Sequence, residues 1–250
     1  MINLKQLLLL LKMINQTNND YSVSNSSYLY ANPSWHTEDS PWKATQILKL
    51  ISRNKLKPKS IVEIGCGAGE ILNQLYQRME NKNVDFSGYE ISPDAFQLTQ
   101  SRQNDRLKFY MEDALLNSKN FDLLLMIDVF EHVEDYIGFV RSYNSKAVYK
   151  IYHIPLDISM WSLLTNYPIG ARRHVGHLHY FMKDTALATL TDAGQEVIDW
   201  FYTPAAFEVN NKGLNFWGKV IQFSRRVLYK IRPNLAVKVF GGFSLIVLTK

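Results

Sequence analysis

The feature that most constrains the fold is a glycine-rich turn between two apolar segments. The stretch SIVEIGCGAGEIL, residues 60–72, carries Gly65, Gly67 and Gly69 at alternate positions. Glycine reaches positive φ without strain and lets another molecule approach the backbone closely. The segment before the turn is typical of a buried parallel strand, and the segment after it has the periodicity of a helix. Such a turn places N–H groups and a positive helix end at the carboxyl edge of a sheet, where doubly wound α/β folds bind ligands.

Strands and helices are predicted to alternate along most of the chain. The predicted strands are Ser60–Ile64, Val84–Glu90, Leu107–Met111, Phe121–Asp128, Ala147–His153, 196–203 and 243–250. The predicted helices are 41–53, Glu70–Met79, Pro93–Arg102, Val133–Tyr143 and a segment that ends near Gly194. Alternation of this kind predicts βαβ units and a parallel sheet. We expect residues 1–57 to form an N-terminal helix, an aromatic lid and a leading helix, and residues 58–250 the main domain, with an insertion at 204–242.

Composition and charge exclude several classes of protein. The chain has 250 residues, 46% of them hydrophobic and 20% charged, which is ordinary for one large globular domain. The net charge is +5, but eight Lys or Arg and no acid lie beyond Asn210, so the preceding body carries 20 basic and 23 acidic side chains. This distribution argues against a nucleic-acid partner. A single cysteine excludes an internal disulfide and suits a reducing cytoplasm, which is the expected location.

Two acidic residues near the turn argue against a dinucleotide. Glu70 occupies the position of the third glycine in the G-x-G-x-x-G fingerprint. Glu63 lies two residues before Gly65, where its charge would oppose a pyrophosphate. A ligand with a cationic amino-acid end would instead be attracted by that carboxylate.

Further acids follow the next predicted strands. Glu90 ends the second strand and could accept both hydroxyls of a ribose. After the third strand, Asp113 could accept from an exocyclic amine, while the N–H of Ala114 could donate to a ring nitrogen. The fourth strand is followed by several acidic residues, the first of which is Asp128, beside the expected reacting centre. The alternative for each acid taken singly is a helix cap or turn residue.

Together these residues resemble the motifs of class I S-adenosylmethionine-dependent methyltransferases. Glu63-x-Gly65-x-Gly67-x-Gly69 is similar to that family's first motif, and DVFEHV, residues 128–133, to its fourth motif in the small-molecule branch. The resemblance implies a Rossmann-like, doubly wound, seven-stranded, mostly parallel sheet with an antiparallel last strand, and S-adenosyl-L-methionine as cofactor. The cofactor contacts that it implies are Glu63, Gly65, Cys66, Gly67, Gly69, Glu90, Ile91, Asp113, Ala114 and Asp128.

The residues narrow the reaction without identifying the acceptor. Covalent methylation of cytosine needs a nucleophilic cysteine, and the only cysteine, Cys66, lies in the glycine turn. Methylation of an O or N atom of a small, sugar or lipid-linked acceptor remains, with methylation of a carbon atom as a further alternative, and a hydroxyl acceptor needs a general base. His132 and His153 follow the fourth and fifth strands and are the candidate bases. His174, His177 and His179 are expected to be solvated or bonded to backbone, so no metal site is predicted.

Two segments outside the motifs carry aromatic or basic residues. Tyr28, Tyr30, Trp35, His36 and Trp42 predict a lid over the site, or alternatively a plug at the sheet edge. Residues 216–231 predict a basic amphipathic helix, which either packs on the domain or contacts the inner face of a membrane peripherally.

Two other functions are compatible with these motifs. One is an NAD(P)-dependent oxidoreductase, against which Glu63 and Glu70 argue. The other is a non-catalytic S-adenosylmethionine-binding partner subunit.

Overall fold

The computed structural model describes Trp35, residues 37–209, Gly213 and residues 215–250. The predicted N-terminal helix and the lid residues Tyr28, Tyr30 and His36 lie outside the described residues. The division at residue 57 stays a prediction.

A seven-stranded sheet forms the centre of the described fold. Its strands are β1 (Ser60–Ile64), β2 (Asp85–Tyr89), β3 (Leu107–Tyr110), β4 (Phe121–Ile127), β5 (Ala147–Pro155), β6 (Val197–Thr203) and β7 (Ser244–Thr249). Their order is β3-β2-β1-β4-β5-β7-β6, with β1 to β5 parallel and β7 antiparallel to both of its neighbours. The predicted fold class is therefore confirmed.

Helices cover both faces of the sheet. They are α1 (Ser40–Arg53), α2 (Glu70–Arg78), α3 (Pro93–Thr99), α4 (Tyr136–Ser142), α5 (Met160–Leu164), α6 (Tyr167–His174), α7 (Lys183–Asp192), α8 (Ala205–Glu208), α9 (Phe216–Ile231) and α10 (Pro233–Phe240). The predicted start of α4 at Val133 was wrong. Residues Phe130–His132 form a separate 3-10 turn, and the Asp135 carboxylate caps α4 by accepting from the Gly138 N–H at 2.9 Å.

Successive side chains of β4 point to opposite faces of the sheet and contribute to two apolar layers. Leu123 and Leu125 belong to the core formed with Ile47 of α1 and Leu72 of α2. Leu124 and Met126 belong to the core on the other face, among the helices that follow β4 and β5. Because every residue of β4 except Asp122 is buried, this strand anchors both layers and holds its carboxyl end in place.

The basic helix α9 turns an apolar face toward solvent. Gln222 is buried and donates to the Ala206 carbonyl. Leu228 and Tyr229 pack against the core. The exposed side is an apolar stripe of Phe216, Val220, Phe223, Val227 and Ile231. Among the described residues, none of the helices combines the length and apolarity that crossing a membrane requires.

Candidate active site

The glycine turn between β1 and α2 adopts the left-handed backbone that its sequence predicts. Gly65, Gly67 and Gly69 have φ values of 66°, 54° and 76°. A Cβ atom on Gly69 would lie 2.5 Å from the Phe109 ring, and one on Gly67 would lie 2.8 Å from the Trp35 indole. Only glycine satisfies both the backbone and the packing at these positions.

Glu90 fastens the turn to the end of β2. Its carboxylate accepts three backbone N–H bonds, from Gly67, Ile91 and Ser92, each at 2.8 Å. Burial raises the pKa of Glu90, and these three bonds oppose that increase. The residue thus caps the turn, as the alternative interpretation predicted, and also lines the cavity described below.

Glu63 is an ionisable side chain without a complete set of partners. It is 1% exposed in β1, and its Oε2 atom has no hydrogen-bond partner among the described residues. Burial raises its pKa well above the usual value, Lys43 opposes the increase, and Glu90 adds to it. A buried carboxyl oxygen in this state is suited to a cationic or hydrogen-bond-donating ligand.

The remaining predicted cofactor residues lie at the same edge. Asp113 accepts from the Leu115 N–H and from the Tyr143 hydroxyl, both at 2.8 Å. Ala114 is buried, whereas the Ile91 side chain is 60% exposed. Burial, then the charges of Glu90 and Glu63, raise the pKa of the Cys66 thiol, which therefore is not a nucleophile.

Asp128 is the centre of a charged cluster after β4. It has a φ of 54°, unusual for a residue other than glycine. Its carboxylate accepts from Lys43 Nζ at 2.8 Å and from His153 Nδ1 at 2.6 Å. His153 Nε2 is bonded to the Thr203 hydroxyl at 2.9 Å, and Lys43 also contacts Asp39 at 3.0 Å.

Lys43 and His153 control the ionisation of Asp128. Burial alone would raise its pKa, but His153 and Lys43 outweigh burial and hold the pKa well below the usual range. The same pairing raises the pKa of Lys43 against the effect of burial. Sequence reasoning missed Lys43, because its position in α1 carries no signal of contact with a residue 85 positions later.

A second cluster brings together three distant segments. His132 Nδ1 donates to the Gly176 carbonyl at 3.1 Å, and its ring lies 4.9 Å from that of His177. His177 Nδ1 donates to Asp157 Oδ2 at 2.5 Å. Glu131, next to His132, is fully buried.

The histidine segment, residues 174–179, agrees with its prediction only in part. His179 Nε2 donates to the Val133 carbonyl at 2.9 Å, and His174 is exposed at the end of α6. His177 departs from the prediction, because its partner is a carboxylate. That partner, Asp157, lies 20 residues earlier, before two helices that the sequence did not indicate.

One cavity of about 550 Å³ connects these groups. Its wall includes the glycine turn, Glu63, Glu90 and Asp113 at one end, and His132, His177 and Tyr167 at the other. Trp35 and Trp42, the described members of the predicted lid, also line it. The Trp42 indole N–H donates to Glu208 at 2.7 Å, and its ring stands edge-on to His153 at 6.1 Å.

Comparison with known proteins identifies the family to which the chain belongs. A family model described as a methyltransferase domain matches residues 35–199, well over half of the chain. The chain belongs to this methyltransferase family. No curated protein sequence matches the chain significantly.

Solved methyltransferase structures share the fold at low sequence identity. The cyclopropane synthase MmaA2 from Mycobacterium tuberculosis has a TM-score of 0.57 at 14% identity, over 94% of this chain and 98% of that one. The plantazolicin methyltransferase BpumL, in complex with SAH, has a TM-score of 0.57 at 14% identity, over 99% of each chain. Magnesium protoporphyrin IX methyltransferase (ChlM) from Synechocystis PCC 6803, with bound SAH, has a TM-score of 0.53 at 15% identity, over 84% of this chain and 81% of that one.

The protein is an S-adenosylmethionine-dependent methyltransferase, and the residues of this methyltransferase fit its cofactor. The glycine turn, Glu63 and Glu90 line the same cavity, and Glu63 has an unpartnered buried carboxyl oxygen there. Family membership also decides against the oxidoreductase alternative.

Proposed function

We propose that this methyltransferase transfers a methyl group to an O or N atom of a small, sugar or lipid-linked acceptor. The observation that carries the proposal is the single cavity, which joins the glycine turn to a pocket lined by His132, His177 and Tyr167. This pocket combines apolar and aromatic walls with a few polar atoms, which is typical of small-molecule sites. The buried Cys66 does not support a covalent route.

The cofactor end of the cavity has a group for each part of the cofactor. We assign Glu63 to the ammonium of the methionine portion and Glu90 to the ribose hydroxyls. Asp113 and the N–H of Ala114 are assigned to the adenine, with Ile91 beneath the ring. Gly65, Cys66, Gly67 and Gly69 supply the close backbone approach, and Asp128 lies beside the methionine portion.

When bound, S-adenosylmethionine supplies a methyl group on a sulfonium, and its displacement leaves S-adenosylhomocysteine. The chain must align the acceptor atom with this methyl group and exclude water, and orientation alone can contribute roughly 7–11 kcal/mol. A hydroxyl acceptor must also lose its proton.

Of the two predicted bases, His132 is the one we assign to the acceptor. Both ring nitrogens of His153 already have partners, Asp128 and Thr203, and the residue is 3% exposed. We therefore assign His153 to positioning Asp128. His132 lines the acceptor end, and its Nδ1 bond to Gly176 orients the ring.

Calorimetric titration with S-adenosylhomocysteine, with NADH in parallel, tests the cofactor end. We expect micromolar binding of the first and none of the second. Glu90→Ala should weaken S-adenosylhomocysteine binding about 10- to 100-fold, since hydrogen bonds to a charged group contribute about 1.5–3 kcal/mol. The matched control is Glu80→Ala, at an exposed position outside the cavity.

Turnover tests the acceptor end. Release of S-adenosylhomocysteine should be measured with hydroxylated sugars, amines and lipid-linked sugars as acceptors. Turnover with none of them, while the cofactor binds, would remove these acceptor classes. His132→Ala should lower kcat about 100-fold or more with the cofactor affinity unchanged.

We further propose that α9 contacts an anionic membrane surface. Its five-residue apolar stripe faces away from the domain, and Phe216, Phe223 and Ile231 are each about 70% exposed. Lys219 and Lys230 flank the stripe, and the helix contains no acid. An exposed apolar stripe beside a basic row is typical of a helix that lies in the membrane interface.

Vesicle co-sedimentation tests the membrane contact. The full-length protein should sediment with anionic vesicles at low salt and less with neutral ones. Phe223→Asp should abolish sedimentation, whereas Leu116→Asp, an equally exposed position outside α9, should not. Equal sedimentation of the two variants would remove the assignment.

A further inference from the structure

Glu131 is the least satisfied polar group at the acceptor end. It is 0% exposed, and neither carboxyl oxygen has a hydrogen-bond partner among the described residues. Its backbone is firmly held, since its carbonyl accepts from the N–H groups of Leu178 and His179 at 2.8 and 3.1 Å. These bonds tie the turn after β4 to the histidine segment. A carboxyl group buried so completely, yet unpartnered, indicates a missing ligand.

Two histidines lie beside this carboxyl group. Ligand atoms of Glu131, His132 and His177 all lie within 4.8 Å of one another. Two ligands on a tetrahedral first-row divalent cation, each about 2.0–2.2 Å from it, lie about 3.3–3.6 Å apart. Combined side-chain movements of up to about 1.5 Å would therefore close the site around the ion.

The hydrogen bonds behind both histidines have the form found at metal sites. His177 Nδ1 donates to the Asp157 carboxylate, and His132 Nδ1 donates to the Gly176 carbonyl. Because each Nδ1 carries the proton, the lone pair of each ring lies on Nε2. A carboxylate or carbonyl behind a histidine fixes the tautomer and strengthens the ligand.

We infer that Glu131, His132 and His177 bind a divalent transition-metal ion, with Asp157 as the supporting carboxylate. Two imidazoles and one carboxylate suit Zn²⁺ and its first-row neighbours, whereas Mg²⁺ and Ca²⁺ prefer all-oxygen sites. The sequence predicted no metal site, because no acid lies between Asp157 and Asp184 within the histidine segment. The required acid comes instead from the turn after β4.

The catalytic role that we infer for this ion rests on the proposed function. His132 and His177 line the cavity, so an open coordination position would face the acceptor. A cation lowers the pKa of a hydroxyl bound to it. The acceptor hydroxyl would lose its proton to solvent, and its oxygen would form the bond to the methyl carbon as the carbon–sulfur bond breaks. His132 would then be a metal ligand in place of the general-base role assigned to it above, and the preferred substrate is a hydroxyl compound.

Titration of the full-length protein with Co²⁺ tests the site. The protein is purified without a histidine tag, treated with a chelator and followed by visible absorption. We expect one equivalent of Co²⁺ to give a d–d spectrum that Zn²⁺ abolishes. Glu131→Gln and His177→Ala should lose the spectrum, and Asp157→Asn should weaken binding roughly 10- to 100-fold. His174→Ala, an exposed histidine in the same segment, is the control and should behave as wild type.

Binding of S-adenosylhomocysteine reports on the folding of each variant and separates the two proposals. Wild type that binds S-adenosylhomocysteine but not Co²⁺ overturns the metal site and leaves the methyltransferase intact. The metal site is also overturned if Glu131→Gln and His177→Ala bind Co²⁺ as tightly as wild type does. If Glu131→Gln does not fold, the Co²⁺ spectrum of His177→Ala tests the site. A Co²⁺ spectrum without turnover on any hydroxyl acceptor supports the site and removes the proposed acceptor class.

Discussion

The two ends of the cavity are constructed differently. At the cofactor end, Gly65, Gly67 and Gly69 follow one strand directly, and Glu90 ends the next strand in the chain. The Asp128 cluster beside the methionine portion needs Lys43 from α1, and the Glu131 cluster at the acceptor end needs His177. The glycine turn and Glu90 depend on local geometry repeated at successive strand ends, whereas these two clusters depend on contacts between distant segments. Cofactor binding should therefore be sensitive to backbone changes in the turn, and acceptor chemistry to changes in remote side chains.

The largest effect is expected from Gly69→Val, which disrupts the local backbone geometry of the glycine turn. The substitution combines a left-handed backbone with a Cβ only 2.5 Å from Phe109. Backbone strain of about 1–3 kcal/mol and overpacking of about 1–3 kcal/mol should together lower the free energy of unfolding. S-adenosylhomocysteine binding should become unmeasurable by calorimetry.

The control is Gly170→Ala in α6, where no atom lies within 4 Å of the added Cβ. This change should leave binding intact and should not lower stability. Cofactor binding that survives Gly69→Val would contradict the view that the turn needs glycine.

A smaller effect is expected from Lys43→Met, which removes the long-range ion pair with Asp128. Breaking a buried ion pair costs about 3–5 kcal/mol, and the loss should be near the lower limit because His153 remains beside Asp128. Chemical denaturation at pH 7 measures this loss. Lys57→Met, at an exposed position, should change little, and adding Asp128→Asn to Lys43→Met should recover part of the loss.

The pH dependence of this effect has a definite sign. The pKa of Asp128 is lower in the folded chain than its unfolded value of about 3.9. The stability that it contributes is present above that pH and is lost as the pH falls below it. The advantage of wild type over Lys43→Met should narrow as the pH falls below the pKa that Asp128 has in the folded variant, because there the carboxylate is protonated in the variant before it is protonated in wild type. An advantage that widens in acid would contradict the ion pair.

The smallest effect is expected from Glu63→Gln, which separates stability from binding. The pKa of buried Glu63 is raised, so its penalty in the folded state grows as the pH rises above the unfolded value of about 4.3. Without cofactor, the variant should be more stable than wild type at pH 8, and the difference should shrink as the pH falls toward 4. Its affinity for S-adenosylhomocysteine should fall, since the charged partner of the ammonium is lost. Glu80→Gln, at an exposed position, should change neither quantity.

The sequence by itself determined the sheet, the glycine turn and the acids at the strand ends. Alternating strands and helices are local patterns, and parallel strands bring their carboxyl ends to one edge whatever the details of packing. For this reason Glu63, Glu90, Asp113 and Asp128 could be predicted to line one cavity before the structure was known, and all four do.

Only the tertiary structure decided which partners these residues have. Lys43 reaches Asp128, and Asp157 supports His177, because α1 and the segment after β5 fold over the sheet edge. The sequence also left open whether the apolar side of α9 packs on the domain, and only the structure showed that Gln222 is buried while Phe216, Phe223 and Ile231 are exposed. Such contacts depend on the relative placement of elements, and no short-range pattern in the sequence encodes it.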